Sequence, residues 1–206
     1  MTREEILTYI DNAILFNDVV TDKEADIIGL KRLVGSVQID NFYFKKDADN
    51  NIILMYCKPC YKEIEFGDAV DIIYSDAFSY NHVIEVIKGD SVKLVKGYGF
   101  SHCKNLKKVV FPHIVKVGYS CFRDCYSLTD VKMKPYRING SAFYNCKSLT
   151  AFDFTNAEYI GKIAFRNTGI REVNAPNLQE MGVGVFSCCD LLKFNIPTGV
   201  KVQSYR

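Results

Sequence analysis

The chain changes its hydrophobic rhythm near residue 37. Before that point Ile6, Ile10, Ala13 and Ile14 fall three and four apart, the stripe of an amphipathic helix. Thr2 with Glu5 three residues on is a capping box, so a helix is expected through about Phe16. Thr21 and Glu24 repeat that signature. They predict a second helix through about Val34, with Ile27, Ile28, Leu30 and Val34 apolar and Gly35 as its stop. Val37–Phe44 and Ile52–Tyr56 then read as two strands, joined by the polar turn from Lys45 to Asn51. Residues 1–68 are thus expected to form an α+β unit of two helices and a β-hairpin. A unit of that size buries too little to be stable alone. Its expected role is a cap on the apolar face of the remainder of the chain, with a second binding surface or a dimerisation element as the alternative.

From residue 69 a longer rhythm takes over. Phe78, Phe100, Phe122, Phe143, Phe165 and Phe186 are separated by 22, 22, 21, 22 and 21 residues. Gly97, Gly118, Gly140, Gly161 and Gly182 precede five of them by three or four positions. Three residues after each phenylalanine stands a small side chain, in order Asn81, Cys103, Cys125, Cys146, Thr168 and Cys189. An apolar–polar–apolar run comes next, as in Leu106, Val109 and Phe111 or Leu149, Phe152 and Phe154. Each unit is too short to bury its own apolar side, so the units must stack. Strands recurring at this period run parallel and place Phe on Phe and Cys on Cys. The glycines fit a turn needing positive φ or a close approach between coils. Pro112, Pro176 and Pro197 end three of the strands, since proline cannot donate to a ladder.

The segments Gly99-Phe100-Ser101-His102-Cys103-Lys104-Asn105-Leu106-Lys107-Lys108-Val109-Val110-Phe111-Pro112 and Ala142-Phe143-Tyr144-Asn145-Cys146-Lys147-Ser148-Leu149 resemble the BspA-like leucine-rich repeat. The resemblance runs over about residues 71–202. It implies a right-handed, gently curved solenoid with a parallel β-sheet, about six coils of 21–22 residues, used for binding proteins or surfaces. Many members of that family are secreted adhesins. The start of this chain is acidic and helix-like, without a secretory pattern, so the expectation moves to the short intracellular or phage-encoded versions and to the cytoplasm.

Charge divides the chain at the same place. Residues 1–70 carry 8 Lys/Arg against 13 Asp/Glu, and residues 71–206 carry 18 against 11. That asymmetry permits electrostatic attraction between the two parts, or of the repeat region to an acidic partner. Lys88, Lys93, Lys96, Lys104, Lys107, Lys108 and Lys116 form a basic run opposed locally only by Asp90. Contact with nucleic acid through these first coils is an alternative. It is disfavoured because the run holds no arginine fork and the whole chain is near neutral. No apolar run approaches the about 18 residues a membrane span needs.

Candidate chemistry is sparse. Cys57-Lys58-Pro59-Cys60 is a CxxC pair, which serves as a redox couple or as half of a zinc site. A zinc site needs two more ligands, the chain has no second CxxC, and His82, His102 and His113 lie in the repeats. A structural reading of the pair is favoured over a disulfide or a metal. The remaining thiols repeat with the coil, so core packing accounts for them; Cys188, beside the core position, is expected near the surface. The histidines show no pairing with acids in the sequence, and no nucleophile constellation or phosphate loop is present. No enzyme, metal or cofactor is expected.

A partner is expected on the outward strand positions, which alternate with the core. One row holds Lys108, Asp130, Ala151, Glu172 and Lys193. The next holds Val110, Lys132, Asp153, Asn174 and Asn195. Aromatic anchors are expected in the bends, at Tyr98, Tyr119, Tyr144 and further tyrosines. The functional expectation is a non-enzymatic protein-binding module. A narrower one, drawn from what compact single-purpose repeat proteins do, is a phage or mobile-element protein that inhibits a host defence factor such as a CRISPR nuclease. The competing expectation is a structural or adhesive part of a virion or surface assembly, and the oligomeric state is open.

Overall fold

A computed structural model describes residues 1–27 and 30–203, apart from the side chain of Ile27. Helix α1 (Arg3–Leu15) opens on the expected capping box: the Thr2 hydroxyl accepts from the Glu5 N–H at 3.2 Å, and the Glu5 carboxylate accepts from the Thr2 N–H at 2.8 Å. Ile6, Ile10 and Ala13 are buried, but Ile14 is 56% exposed. At 3.6 residues per turn Ile14 stands roughly 70° from the centre of that stripe, which puts it outside the contact. Helix α2 (Asp22–Ile27) is much shorter than the second helix expected through Val34. Its capping box forms, but by Lys31–Leu33 the chain is in a 3₁₀ turn. That turn drops Leu33 into a small cluster with Tyr43 and Met55. Ile28 lies outside the described residues.

The strand expected over Val37–Phe44 is two strands. β1 (Val37–Ile39) and β2 (Phe42–Lys46) pair antiparallel around Asp40-Asn41, where Asp40 has φ 53°. A two-residue loop with positive φ carried by Asp or Asn is what a tight hairpin needs, and the apolar alternation around it conceals it. β2 then pairs antiparallel with β3 (Ile52–Cys57).

From β3 onward every pairing is parallel. Each turn of the solenoid except the fifth lays one strand in each of two ladders. β4 (Glu63–Glu65), β5 (Ile72–Ile73), β6 (Val86–Lys88), β7 (Leu94–Val95), β8 (Lys108–Val110), β9 (Lys116–Val117), β10 (Asp130–Lys132), β11 (Arg137–Ile138), β12 (Tyr159–Ile160), β13 (Glu172–Asn174), β14 (Glu180–Met181), β15 (Lys193–Asn195) and β16 (Lys201–Val202) succeed one another along the chain. One ladder is continuous, in the order β1-β2-β3-β5-β7-β9-β11-β12-β14-β16. The other is broken into β10-β8-β6-β4 and β13-β15. A turn built on β3 and β4 precedes the six marked by phenylalanine, so parallel pairing starts upstream of residue 69. The cap is continuous with the solenoid through β3.

The core is a set of columns. Phe78, Phe100, Phe122, Phe143, Phe165 and Phe186 stack with neighbouring ring centroids 4.8–5.7 Å apart; offset stacks of this kind add about 0.5–1.5 kcal/mol per pair beyond burial. All but Phe186 are almost fully buried; Phe186, in the last turn, is half-buried. The thiols do more than fill space. Cys103, Cys125 and Cys146 donate to the carbonyls of Phe78, Phe100 and Phe122 at 3.0–3.1 Å, and Cys189 donates to that of Phe165 at 3.2 Å. A weak donor of small volume thus adds a second bond to a buried carbonyl of the preceding coil, which at Phe78, Phe100 and Phe122 already accepts a backbone amide. Thr168 and Asn81 fill the slot with backbone bonds of their own.

The repeat glycines serve close approach, because none of the five has positive φ. A Cβ on Gly161 would sit 2.4 Å from the backbone nitrogen of Gly140, and one on Gly182 would sit 2.2 Å from that of Lys162. Positive φ falls two residues either side of the phenylalanine, at Asp76, Tyr98, Ser120, Ser141, Ile163 and Gly184 before it and at Tyr80, His102, Asp124, Asn145, Asn167 and Cys188 after it. Gly161→Ala is therefore expected to force two coils apart and cost about 2–3 kcal/mol. A urea melt showing a loss of less than about 0.5 kcal/mol, the scatter of ordinary surface changes, would remove the close-approach account.

Candidate partner-binding surface

Outside the fifth turn, where Ala151 and Asp153 lie in no strand, the two outward rows form as alternating strand positions require. Lys108 lies opposite Asp130 and Glu172 opposite Lys193, with the charged atoms 2.9 Å apart in both pairs. In the second row Val110 faces Lys132, and the Asn195 amide donates to the Asn174 carbonyl oxygen at 2.8 Å. Asp153 meets Lys134 at 3.0 Å. Exposed pairs of this kind contribute little to stability; they fix where charge sits on the face.

Applying the period across the coils also changes the reading of the basic run. Lys88 pairs with Glu65, Lys93 with Asp71, Lys107 with Glu85 and Lys108 with Asp130. Lys96 lies 4.3 Å over the Tyr74 ring. The local count of one acid, Asp90, is corrected: acids one coil away neutralise most of the run. Lys104 and Lys116 alone have no such partner among the described residues.

The row is interrupted in the fifth turn. The carbonyls of Glu85, Lys107 and Arg171 each accept two amides from the next coil. The carbonyls of Thr129 and Thr150, which continue the series, accept none. Residues 150–153 form no strand, although the sequence pattern there is apolar–polar–apolar like the others. Phe152 occupies the slot filled by Ile87, Val109, Val131 and Val173 and, in the last turn, by Phe194, which still pairs with Val173 as part of β15. The Phe152 ring meets Phe143, Phe154 and Phe165 at 4.9–5.2 Å. The segment is displaced from the ladder, and a groove of about 830 Å³ opens between β10 and β13. Val131, Met133, Phe152 and Phe154 make its apolar floor, and Lys132, Lys134 and Arg171 stand on its rim. Phe152 and Arg171 were missed from sequence; no signal in the repeat sets Phe152 apart, because Phe194 fills the same slot within β15.

The tyrosines lie on the bends, apart from these rows. Tyr98 and Tyr119 are exposed and meet edge to face at 5.8 Å. Tyr144 is half-buried beneath the Arg123 guanidinium, 4.8 Å away. The same bend holds a polar file that joins residues one coil apart. Tyr80 stacks on His102 at 4.5 Å, His102 Nε2 lies 3.2 Å from Asp124, Asn145 donates to Asp124 at 2.7 Å, and Asn167 donates to Asn145 at 2.6 Å. The expectation that no histidine meets an acid is thus corrected for His102: the partner is 22 residues away, invisible locally. Ser101 Oγ lies 2.8 Å from His102 Nδ1. This chain of Ser, His and Asp is unlike a nucleophile relay, because Ser101 is only 1% exposed and no substrate atom can reach its oxygen.

Cys57 is buried at the end of β3 and Cys60 is exposed; both thiols approach the Lys58 carbonyl, at 3.3 and 3.2 Å. Burial, and secondarily the charge of Cys60, push the Cys57 thiol far up, so it is a poor nucleophile. Burial likewise pushes Cys103 up to about 12, and Cys121, Cys125 and Cys146 well above their ordinary range. Cys188 is exposed. Among the described residues no group of three metal-ligating side chains converges, and no helix is long and apolar enough to cross a membrane.

Comparison with known proteins agrees with this geometry. The family model described as the BspA-type leucine-rich-repeat region matches in six copies, over residues 50–157 and 136–205. Among solved structures, the chain is similar to a leucine-rich cell-surface protein of Faecalibacterium prausnitzii, with 18% identity and a TM-score of 0.58 over 76% of this chain and 55% of that one. It therefore spans about half the length of that protein. A leucine-rich-repeat protein of Treponema pallidum (14% identity, TM-score 0.46, 77% and 81% of the two chains) and one of Bacteroides ovatus (20%, 0.37, 81% and 66%) are further neighbours. No curated protein matches the chain. With the family pattern spanning residues 50–205 and its columns in place in the core, the chain belongs to the BspA-type leucine-rich-repeat family.

Proposed function

We propose that the chain is a non-enzymatic scaffold that binds a protein on its broken-ladder face. The observation that carries this reading is the contrast between core and face. Buried positions repeat from turn to turn, while the outward row runs Lys108, Asp130, Ala151, Glu172, Lys193 and changes sign and size at almost every step. A rigid frame under a varied face gives specificity by complementarity of charge and shape. The excess of Lys and Arg in residues 71–206 favours a partner with an acidic surface. The buried thiols favour work in a reducing compartment, the cytoplasm. An inhibitor from a phage or mobile element, sequestering a defence factor such as a CRISPR nuclease, is one member of this class. The identity of the captured protein decides that point.

The test is capture from cell lysate on the wild-type chain and on Val110→Glu/Asn195→Glu, two outward positions on β8 and β15. One stoichiometric protein is expected on the wild type, with at least about tenfold weaker binding to the variant. Equal capture by both would overturn docking on this face. A second reading, part of a surface assembly, is favoured by the likeness to a cell-surface protein and by exposed Leu192, Phe194 and Val202 on the last turn. Recovery of the bait alone, as a defined oligomer, would select that reading.

A further inference from the structure

We propose that the groove in the fifth turn takes an extended acidic segment of the partner, which adds as a strand beside residues 150–153. The inference rests on the protein-binding reading and names the contact within it. Three observations carry it. The first is hydrogen-bonding capacity. The amides of Thr150, Ala151, Phe152 and Asp153 donate to no backbone carbonyl, and the carbonyls of Thr129 and Thr150 accept from no backbone amide. Backbone groups spaced in this way are satisfied together by another extended backbone, the mode in which peptides add to sheet edges.

The second is the floor. Val131 and Phe152 are half-buried, and Met133 and Phe154 are buried beneath them. A volume of about 830 Å³ lies in the range of sites that hold a ligand rather than a surface ripple. Side chains of an added strand alternate between floor and rim, so one apolar residue of the segment meets Phe152 while its neighbours meet the rim.

The third is charge. Asp130 serves both Lys108, at 2.9 Å, and Lys132, at 3.4 Å, so this group carries an uncompensated positive charge. Asp153 is taken by Lys134 and Glu172 by Lys193. Arg171 is exposed on the rim, and its guanidinium has no partner among the described residues. Its planar fork suits a carboxylate. The segment expected is thus one apolar residue between Asp or Glu residues, in extended form.

The probe is a displayed library of random twelve-residue peptides selected on the full chain, with the enriched peptide then titrated by fluorescence anisotropy. Enrichment of acidic residues around an apolar one is expected. Phe152→Val removes the ring that floors the groove and is expected to weaken peptide binding at least about tenfold. Arg171→Glu, an exposed site, leaves folding untouched and is expected to weaken binding about tenfold. No enrichment, enrichment of basic or neutral peptides, or equal affinity for both variants and the wild type would overturn the proposal. The lysate partner separates this failure from that of the broader reading. If it stays on Phe152→Val and Arg171→Glu but leaves Val110→Glu/Asn195→Glu, the groove assignment falls and the scaffold reading stands.

Discussion

Raising the pH from 8 to 10 is expected to remove about 7 kcal/mol of folding stability. Five thiols, Cys57, Cys103, Cys121, Cys125 and Cys146, are held above their ordinary value of 9.0 chiefly by burial. A thiol raised in the folded chain binds its proton more tightly there than in the unfolded chain. Its contribution is complete below about pH 9 and is lost as the pH climbs toward the folded value, about 12 for Cys103. Each thiol gives up about 1.4 kcal/mol by one pH unit above its unfolded value. The total rivals the roughly 5–15 kcal/mol that holds a typical domain together, so cooperative alkaline unfolding is expected near pH 10. Urea titrations under reducing conditions, followed by far-ultraviolet circular dichroism at pH 8, 9 and 10, read the slope directly. Cys103→Ala/Cys125→Ala/Cys146→Ala is expected to flatten it by about 4 kcal/mol over the same interval. The same slope in wild type and triple variant would mean the thiols are not its source.

Asp71→Ala is expected to cost about 3–5 kcal/mol, the range for one partner removed from a buried ion pair. Its carboxylate is almost wholly buried, with Oδ2 accepting from Arg3 Nη1 at 2.6 Å and from the Ile52 N–H at 2.9 Å, while Lys93 Nζ lies 3.7 Å from Oδ1. Arg3 also donates to the carbonyls of Asn50 and Asp68, at 3.0 and 3.3 Å. One carboxylate therefore ties the start of α1 to β3 and to the chain entering β5. With it gone, the Ile52 amide loses its buried acceptor, and Ile6, Ile10 and Ala13 lose the anchor that holds α1 on the β1–β2 hairpin. Urea melts would give the energy. Hydrogen exchange should show early opening of α1 ahead of the later turns. A loss under about 1 kcal/mol, the size of an exposed pair, with α1 as protected as before, would sink this account of the cap.

The solenoid was legible because its core is periodic: six phenylalanines and six small residues at one spacing leave little choice of fold. The cap was less so. Asp40-Asn41 reads as part of a strand until positive φ at Asp40 is known, and the link between Arg3 and Asp71 spans too much sequence for any local signal. The opening at residues 150–153 is invisible to a pattern of apolar and polar positions, because Phe152 and Phe154 satisfy the pattern although no strand forms there. The outward rows could be written down from alternation alone, as Lys108 with Asp130 and Glu172 with Lys193. Their ion pairs, and that of His102 with Asp124, become readable only when the coil period is used as a register. The two-residue strands β5, β7, β9, β11, β12, β14 and β16 escape a pattern search because they are shorter than any alternation test, although Val95, Val117, Ile138 and Ile160 mark them.

The stacking register has a kinetic meaning. Lys108 pairs with Asp130, Arg137 with Tyr159 and Glu172 with Lys193, so each step of a ladder closes a loop of one coil and no more. The entropy of that closure is nearly the same at every turn, and each added turn rests only on its predecessor. A chain built this way can zip up from its capped end as it leaves the ribosome, each coil finding its template already formed. The fifth turn is where that template is faulty, and it is there that growth of one ladder should pause while the other carries the chain across.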